Sequence, residues 1–171
     1  QGRLSFLKID DSTRQYLKKF NKTLEANLGK IIELFYSHVG QIPSLRAKLG
    51  SDDNIRRLKQ VQADHWRYLF NASFDDSYMH KVNQIGNAHV RIGLEPRWYL
   101  AGYCLALDAL AEATVKRYAF QPQEITKTLQ AINKAVFLDM DLAISTYIDV
   151  IIGKIAENAT ELTSSSQQLL Q

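Results

Sequence analysis

The sequence predicts a single all-α domain. Apolar residues recur every three or four positions along most of the chain, which is the spacing of one face of an α-helix. Most of the eight glycines and three prolines lie between these periodic stretches rather than inside them. No stretch keeps the alternation of a β-strand. With 171 residues, 46% of them hydrophobic and 23% charged, the chain has the length and composition of one globular domain.

Capping residues and helix breakers divide the chain into an arm and seven predicted helices. Asp10, Ser51 and Asp75 are N-cap types that precede apolar periodicity. Pro96 and Pro122 suit the first position of a helix. The predicted order is an N-terminal arm at 1–9, followed by helices at about 10–20, 22–39, 43–49, 51–70, 75–92, 96–120 and 122–153.

Charge and cysteine content exclude several classes of function. The net charge of +3 is small and evenly spread, which disfavours nucleic-acid binding. The densest basic cluster, Arg56, Arg57 and Lys59, is explained by a solvated helix face. No run of about eighteen apolar residues suggests a membrane span. The single cysteine, Cys104, rules out an internal disulfide and suits a reducing compartment. We therefore expect a cytoplasmic protein that binds neither nucleic acid nor membrane.

The last predicted helix is longer than the domain it belongs to. Residues 122–153 would span roughly 48 Å, whereas a domain of this size is about 30–35 Å across. Apolar side chains continue along the helix through Ile148, Ile151 and Ile155. A bare stripe of this kind marks a protein interface. We expect a homodimer that packs the last two helices of each chain together.

The composition changes after Gly153. Ile155, Leu162 and Leu169 have heptad spacing within an otherwise polar stretch. Residues 154–171 therefore form either a helical connector to an output domain or a frayed tail, and both interpretations stand.

His89 is the most informative single residue. Tyr78, Val82, Ile85 and His89 fall on one face of a helix, and Gly93 marks its end. On spacing alone, two interpretations stand. The imidazole is either a buried structural group, which is the commoner case, or the ligand of a cofactor held between helices.

Several short runs resemble the globin domains of globin-coupled sensors. Ala-His-Val-Arg-Ile-Gly-Leu at 88–94, with Pro-Arg-Trp-Tyr at 96–99, resembles their proximal segment. Leu-Phe-Tyr at 34–36 and Arg-Leu-Lys-Gln at 57–60 resemble their distal segments. The resemblance covers about residues 10–150. It implies a globin fold with an N-terminal extension helix and a long C-terminal helix, divided into an arm at 1–9, a globin sensor domain at 10–153 and a connector at 154–171.

The resemblance also implies a cofactor and a site. The cofactor is haem b, with His89 as the proximal axial ligand and its second ring nitrogen directed to a main-chain carbonyl near Ile85. Tyr36 is the distal hydrogen-bond donor, and Leu58 and Val61 line the distal side without a distal histidine. The other predicted contacts with the porphyrin are Phe35, His65, Met79, Val82, Ile85, Arg91, Trp98, Tyr99 and Tyr103. For His65, a purely structural role stands beside a contact with the haem edge or a propionate.

Three classes of function follow from these observations. The first is a sensor of a diatomic gas (oxygen, carbon monoxide or nitric oxide) that acts on a C-terminal output domain. The polar run at 160–168 is similar to the start of a chemotaxis signalling helix and favours aerotaxis, with a diguanylate cyclase as the alternative output. The second class is a haem dioxygenase or peroxidase, which would need a reductase. The third is a non-haem interaction module, which His89 argues against.

Overall fold

Seven helices make up the part of the chain that the structure describes. The structure is a computed structural model of residues 2–169, without the side chains of residues 163, 164 and 166–169. The helices are α1 (Gly2–Phe6), α2 (Asp11–Gly40), α3 (Pro43–Leu49), α4 (Asp52–Asn71), α5 (Asp76–Arg91), α6 (Pro96–Arg117) and α7 (Pro122–Leu169). The described residues contain no β-strand. The predicted all-α class is confirmed.

The predicted helix starts are set by side-chain caps. Asp10 accepts a hydrogen bond from the Thr13 backbone N–H at 2.8 Å and begins α2. Ser51 begins α4 through the Asn54 N–H in the same way. Asp75 begins α5 by accepting from the Tyr78 N–H at 2.9 Å. Each cap satisfies a donor that the first turn of a helix leaves unpaired.

The predicted break near residue 21 is wrong, because α2 is one continuous helix of 30 residues. Leu17, Phe20, Leu24 and Leu28 are all buried on one face of it. Their spacing of three and four residues keeps the apolar stripe in register across the expected break. Lys18, Lys19 and Lys22 between them lie on the exposed side of the same helix.

The core lies where α2 crosses α4, α6 and α7, with α5 packed along α7. The largest fully buried side chains include Phe20, Phe70, Tyr78, Leu110 and Leu138, which come from five different helices. Burying each such side chain stabilises the fold by roughly 1.5–3 kcal/mol. The core therefore fixes how the helices that carry His89 and Tyr36 lie relative to one another.

The contact between α5 and α7 depends on Gly86. A Cβ atom at this position would lie 3.0 Å from both Cβ and Oγ1 of Thr146. The Cβ of Thr146 is the first atom of its side chain, and no side-chain rotation can move it away. A larger residue at position 86 would therefore push the two helices apart. His89 lies on the same helix and would move with it.

We expect Gly86→Val to lower the free energy of unfolding by about 1–3 kcal/mol, because overpacking forces shifts of the backbone. Gly29→Val is the matched control, since a Cβ at Gly29 meets nothing within 4 Å. It should change stability by less than about 0.5 kcal/mol. Urea unfolding followed by circular dichroism measures both, and equal losses in the two variants would contradict the proposed role of Gly86.

The last helix does not end at Gly153 but continues to Leu169. Residues 154–169, which are 16 of the 18 residues expected to be connector or tail, extend it without a break. Ile148, Ile151, Ile152, Ile155 and Leu162 are all at least half exposed along it. Among the residues that the structure describes, no helix is both long and apolar enough to cross a membrane.

The predicted N-terminal arm contains the short helix α1, which lies against α7. The Arg3 guanidinium forms an ion pair with Asp141 and donates a hydrogen bond to the Ser145 hydroxyl at 2.8 Å. Leu4, Leu7 and Ile9 are partly buried against the core. These apolar contacts, rather than the exposed ion pair, account for the position of the segment.

Candidate functional site

A cavity of about 290 Å³ lies between α2, α4, α5 and α6. Most of its wall is apolar or aromatic, which is the usual lining of a site for a small molecule or cofactor. Ten predicted site residues line it: Phe35, Tyr36, Leu58, Val61, His65, Ile85, His89, Trp98, Tyr99 and Tyr103. Residues that the sequence interpretation did not include also line it: Arg57, Gln62, Trp66, Ala88, Leu94 and Gly102.

Three predicted cofactor contacts lie outside this cavity. Val82 is fully buried in the core, and Met79 packs partly buried against that core. Arg91 is exposed and borders a separate surface groove with Lys154. The reason is the direction of α5: only its last two turns, which carry Ile85 and His89, reach the cavity. Met79, Val82 and Arg91 are therefore not part of the cavity wall, and their contact with a porphyrin stays a prediction.

His89 is set into the cavity wall near the C-terminus of α5. Its Nδ1 atom is buried and makes no hydrogen bond within the described residues. Burial lowers the pKa of the imidazole below its usual value, although the Ile85 carbonyl one turn back works in the opposite direction. The ring is therefore neutral near pH 7 and keeps a lone pair, which is the state in which histidine binds a metal.

Tyr36 carries a free hydroxyl on the cavity wall. Its ring packs edge-on against Phe35, with the centroids 5.3 Å apart. Burial raises the pKa of the phenol to about 12, and Arg57 opposes this only in part. The hydroxyl makes no hydrogen bond to any residue that the structure describes. Tyr36 therefore offers an unused donor at every physiological pH.

Leu58 and Val61 supply apolar surface on the α4 side of the cavity. Leu58 is half-buried, and Val61 is 46% exposed at the rim. The first histidine of α4 is His65, one turn deeper than Val61. Arg57 and Gln62 of the same helix also line the cavity, so its α4 wall combines apolar and polar side chains.

The deep end of the cavity contains a buried hydrogen-bond network. Asp139 on α7 has no exposed surface. His65 Nε2 lies 2.8 Å from its Oδ2 atom, and the hydroxyl groups of Tyr103 and Tyr78 donate to its two oxygens. Tyr99 joins the network through a 2.8 Å hydrogen bond between its hydroxyl and that of Tyr103.

The network determines the charge of Asp139. Burial alone would raise the pKa of this carboxyl. Attraction to His65 and the hydrogen bonds from His65, Tyr103 and Tyr78 outweigh that effect and lower the pKa below its ordinary value. Conversely, burial and the nearby carboxylate raise the pKa of both Tyr78 and Tyr103. At neutral pH the network is thus a carboxylate surrounded by neutral phenols.

His65 lines the cavity and also bonds to Asp139, which gives it a structural role, while its contact with the haem edge or a propionate stays a prediction. Asp139 itself was missed. The available signal was its position three residues after Val136 and four before Ala143, inside the buried face of α7. An acidic residue on an apolar stripe is a group that must find partners, because an unpaired buried charge is costly.

The comparisons with known proteins agree with this geometry. The heme-based aerotactic transducer HemAT of Halobacterium salinarum is 30% identical over 156 residues, which cover 86% of this chain and 32% of that protein. The chain thus spans about a third of the length of that curated relative.

A solved structure has the same arrangement of helices. The globin domain of the Geobacter sulfurreducens globin-coupled sensor matches with a TM-score of 0.81 at 24% identity, covering 86% of this chain and 96% of that domain. The predicted globin fold is thereby confirmed. The Protoglobin family profile matches residues 1–151. Because this match covers most of the chain and all four helices that line the cavity, the chain belongs to the protoglobin family.

Proposed function

We propose that this chain is the haem-binding domain of a gas-sensing signal transducer. One observation carries the proposal: a neutral buried histidine, His89, and an unpaired tyrosine hydroxyl, Tyr36, belong to the wall of the same apolar cavity. The name of the Halobacterium salinarum relative, a heme-based aerotactic transducer, supports the same assignment.

The residues present fit haem b. Nδ1 of His89 is sealed within the protein, one turn from the Ile85 carbonyl, which leaves Nε2 as the nitrogen available to iron. Phe35, Leu58 and Trp98 provide apolar surface for a porphyrin. Arg57 at the cavity wall can pair with a propionate. When bound, haem supplies an iron centre that takes a diatomic gas in addition to the histidine nitrogen.

Each residue then has a defined task. His89 holds the cofactor and fixes its orientation through the packing of its ring against Tyr99, whose centroid lies 5.0 Å away. Tyr36 donates a hydrogen bond to a polar guest in the cavity. Leu58 and Val61 add apolar surface to the same wall, and a lower local dielectric strengthens that hydrogen bond.

The output and the assembly are part of the same proposal. We infer a globin sensor domain at 10–153 that follows an arm at 1–9, with a connector at 154–171 leading to a C-terminal output domain. The exposed apolar face of α7 supports a homodimer through α6 and α7. Aerotaxis is the favoured output and a diguanylate cyclase the alternative. The gas is oxygen, with carbon monoxide and nitric oxide as further ligands, and the protein is cytoplasmic and acts as a sensor rather than an enzyme.

The test is reconstitution of the purified chain with hemin. A sharp Soret band that shifts on reduction and again on addition of carbon monoxide supports the proposal. A broad absorbance without these shifts, equal to that of hemin with an unrelated helical protein, contradicts it.

For Tyr36→Phe we expect oxygen dissociation to accelerate roughly 5–30-fold, the effect of losing a hydrogen bond worth about 1–2 kcal/mol. Carbon monoxide is less polar when bound, so its dissociation should change less. Stopped-flow spectroscopy measures both rates. Because the pKa of Tyr36 is about 12, its donor role should not vary with pH between about 6 and 10.

Tyr68→Phe is the matched control for this measurement. Tyr68 is also half-buried, but its hydroxyl is bonded to Ser77 outside the cavity. Equal oxygen dissociation rates in the Tyr36→Phe, Tyr68→Phe and parent proteins would show that Tyr36 is not the donor.

A further inference from the structure

Asp139 joins four helices at a single buried point. The carboxylate comes from α7, and its partners are His65 on α4, Tyr78 on α5 and Tyr103 on α6. A charge without any exposed surface is costly to bury, and it persists in a fold only when its lone pairs are filled. Here three donors from three helices fill them. The arrangement couples the position of α7 to the other three helices.

The carboxylate also fixes the direction of every hydrogen bond in the network. An ionised carboxylate can only accept, so Tyr103 donates to it. With its own proton used, the Tyr103 oxygen can only accept from Tyr99, whose hydroxyl lies 2.8 Å away. His65 likewise donates through Nε2, which leaves Nδ1 as its second ring nitrogen. Tyr99 thus donates to Tyr103, and Tyr103 donates to Asp139.

The network has a cavity side and a core side. His65, Tyr99 and Tyr103 all line the cavity. Tyr78 does not line it; its ring is buried against Phe74 and Tyr68. The same carboxylate therefore bonds directly to two side chains of the cavity wall, His65 and Tyr103, and to Tyr99 through Tyr103. It also bonds to one core side chain, Tyr78.

We propose that Asp139 is a positioning residue of the cavity: its carboxylate orders the protons of His65, Tyr103 and Tyr99 and ties the deep wall of the cavity to α7. Tyr99 has a single proton, and the network assigns it to Tyr103. If a ligand in the cavity accepts a hydrogen bond from Tyr99, Tyr103 loses the hydrogen bond that Tyr99 donated to it. The hydrogen bond from Tyr103 to Asp139 then changes as well. Occupancy of the cavity is linked to the position of α7 in this way. The role in gas binding rests on the proposed haem function, whereas the order of the protons does not.

The proton order can be tested in the haem-free protein. With ¹⁵N-labelled histidine, the ring shifts of His65 are expected to show a proton on Nε2, and Asp139→Asn should shift the His65 resonances. A His65 resonance pattern with Nε2 unprotonated in the parent protein would overturn the proposal, because Asp139 would then have to be the donor. This outcome is independent of whether haem binds.

The link to the cavity is tested by a matched pair of variants in the haem-loaded protein. Tyr103→Phe and Tyr78→Phe each remove one hydroxyl that donates to Asp139, but only the first faces the cavity. We expect both to lower Tm by about 2–6 °C. Tyr103→Phe and Asp139→Asn should change the carbon monoxide and oxygen dissociation rates by about 3–10-fold. Tyr78→Phe should leave them within about twofold.

The alternatives give different results. If Asp139 only stabilises the fold, the gas rates of the three variants will follow their Tm losses, and Tyr78→Phe will alter them as much as Tyr103→Phe does; that result overturns the proposal. Asp141→Asn serves as the charge control, since Asp141 is half-exposed on the same helix and pairs with Arg3. A parent protein that binds no haem would refute the proposed function but would leave the His65 measurement valid.

Discussion

His89→Ala protein is expected to leave hemin reconstitution without a stable Soret band, or with one that appears only when free imidazole is added. The reason is that the cavity wall offers one neutral buried imidazole near the end of α5, and the substitution removes it while keeping the helix. Apolar contacts alone would bind hemin weakly and in several orientations. The His89 nitrogen would hold the iron and would thereby give the cofactor its position and much of its affinity. A loss of at least about 100-fold in haem affinity is expected, equivalent to about 2.7 kcal/mol.

His80→Ala is the control for this experiment. His80 lies on the same helix, but it is exposed and bonds to Gln84. It should retain the parent spectrum and affinity. An unchanged ferrous-oxygen spectrum in His89→Ala would remove His89 from the site and would leave its buried, unpaired nitrogen without an explanation.

The second large effect concerns assembly. Ile148→Glu combined with Ile152→Glu is expected to convert a homodimer into monomers that still bind haem. The two side chains are 50% and 59% exposed and one turn apart on α7. In a two-fold dimer the pair introduces four carboxylates into one apolar interface. A cost of at least about 4 kcal/mol, or roughly a thousandfold in Kd, follows from their desolvation and mutual repulsion.

The choice of residues matters for this test. Ile144 lies on the same predicted stripe, but it is half-buried against its own core, so a charge there would disturb the fold as well. Leu34→Glu is the control, because Leu34 is 57% exposed and belongs to α2 rather than to α6 or α7. Sedimentation velocity at tens of micromolar gives the result. A monomeric parent protein contradicts the dimer and leaves the exposed face of α7 unexplained.

The helix pattern was predictable because local chemistry determines it. Asp10, Ser51 and Asp75 accept the hydrogen bonds expected of N-caps, and Pro96 and Pro122 begin their helices. What local chemistry does not specify is whether two adjoining stripes belong to one helix. The absence of a break in α2, and the passage of α7 through Gly153, depend on packing over many residues and on the tolerance of helices for a single glycine.

The site was predictable only in part, for a geometric reason. Helical spacing puts Val82 and His89 on one stripe, but a stripe several turns long spans more than one neighbouring helix. The C-terminal end of the stripe on α5, with Ile85 and His89, lines the cavity. Its N-terminal end, with Tyr78, bonds to Asp139 of α7. Periodicity could not predict the burial of Asp139, because it identifies buried positions from apolar residues. A buried acid interrupts that pattern, and its partners lie on three other helices.

The unbroken course of α7 has a mechanical consequence. From Asp139 to Leu162 the helix rises roughly 35 Å, at about 1.5 Å per residue. Neither a proline nor a change of helix type interrupts that stretch, and the helix passes through Gly153 without a break. A tilt of only about 5° at the buried carboxylate would therefore carry Leu162 sideways by roughly 3 Å, more than half of the rise of one helical turn. The helix from Asp139 to Leu162 thus behaves as the long arm of a lever that pivots where Asp139 is bonded to the other three helices.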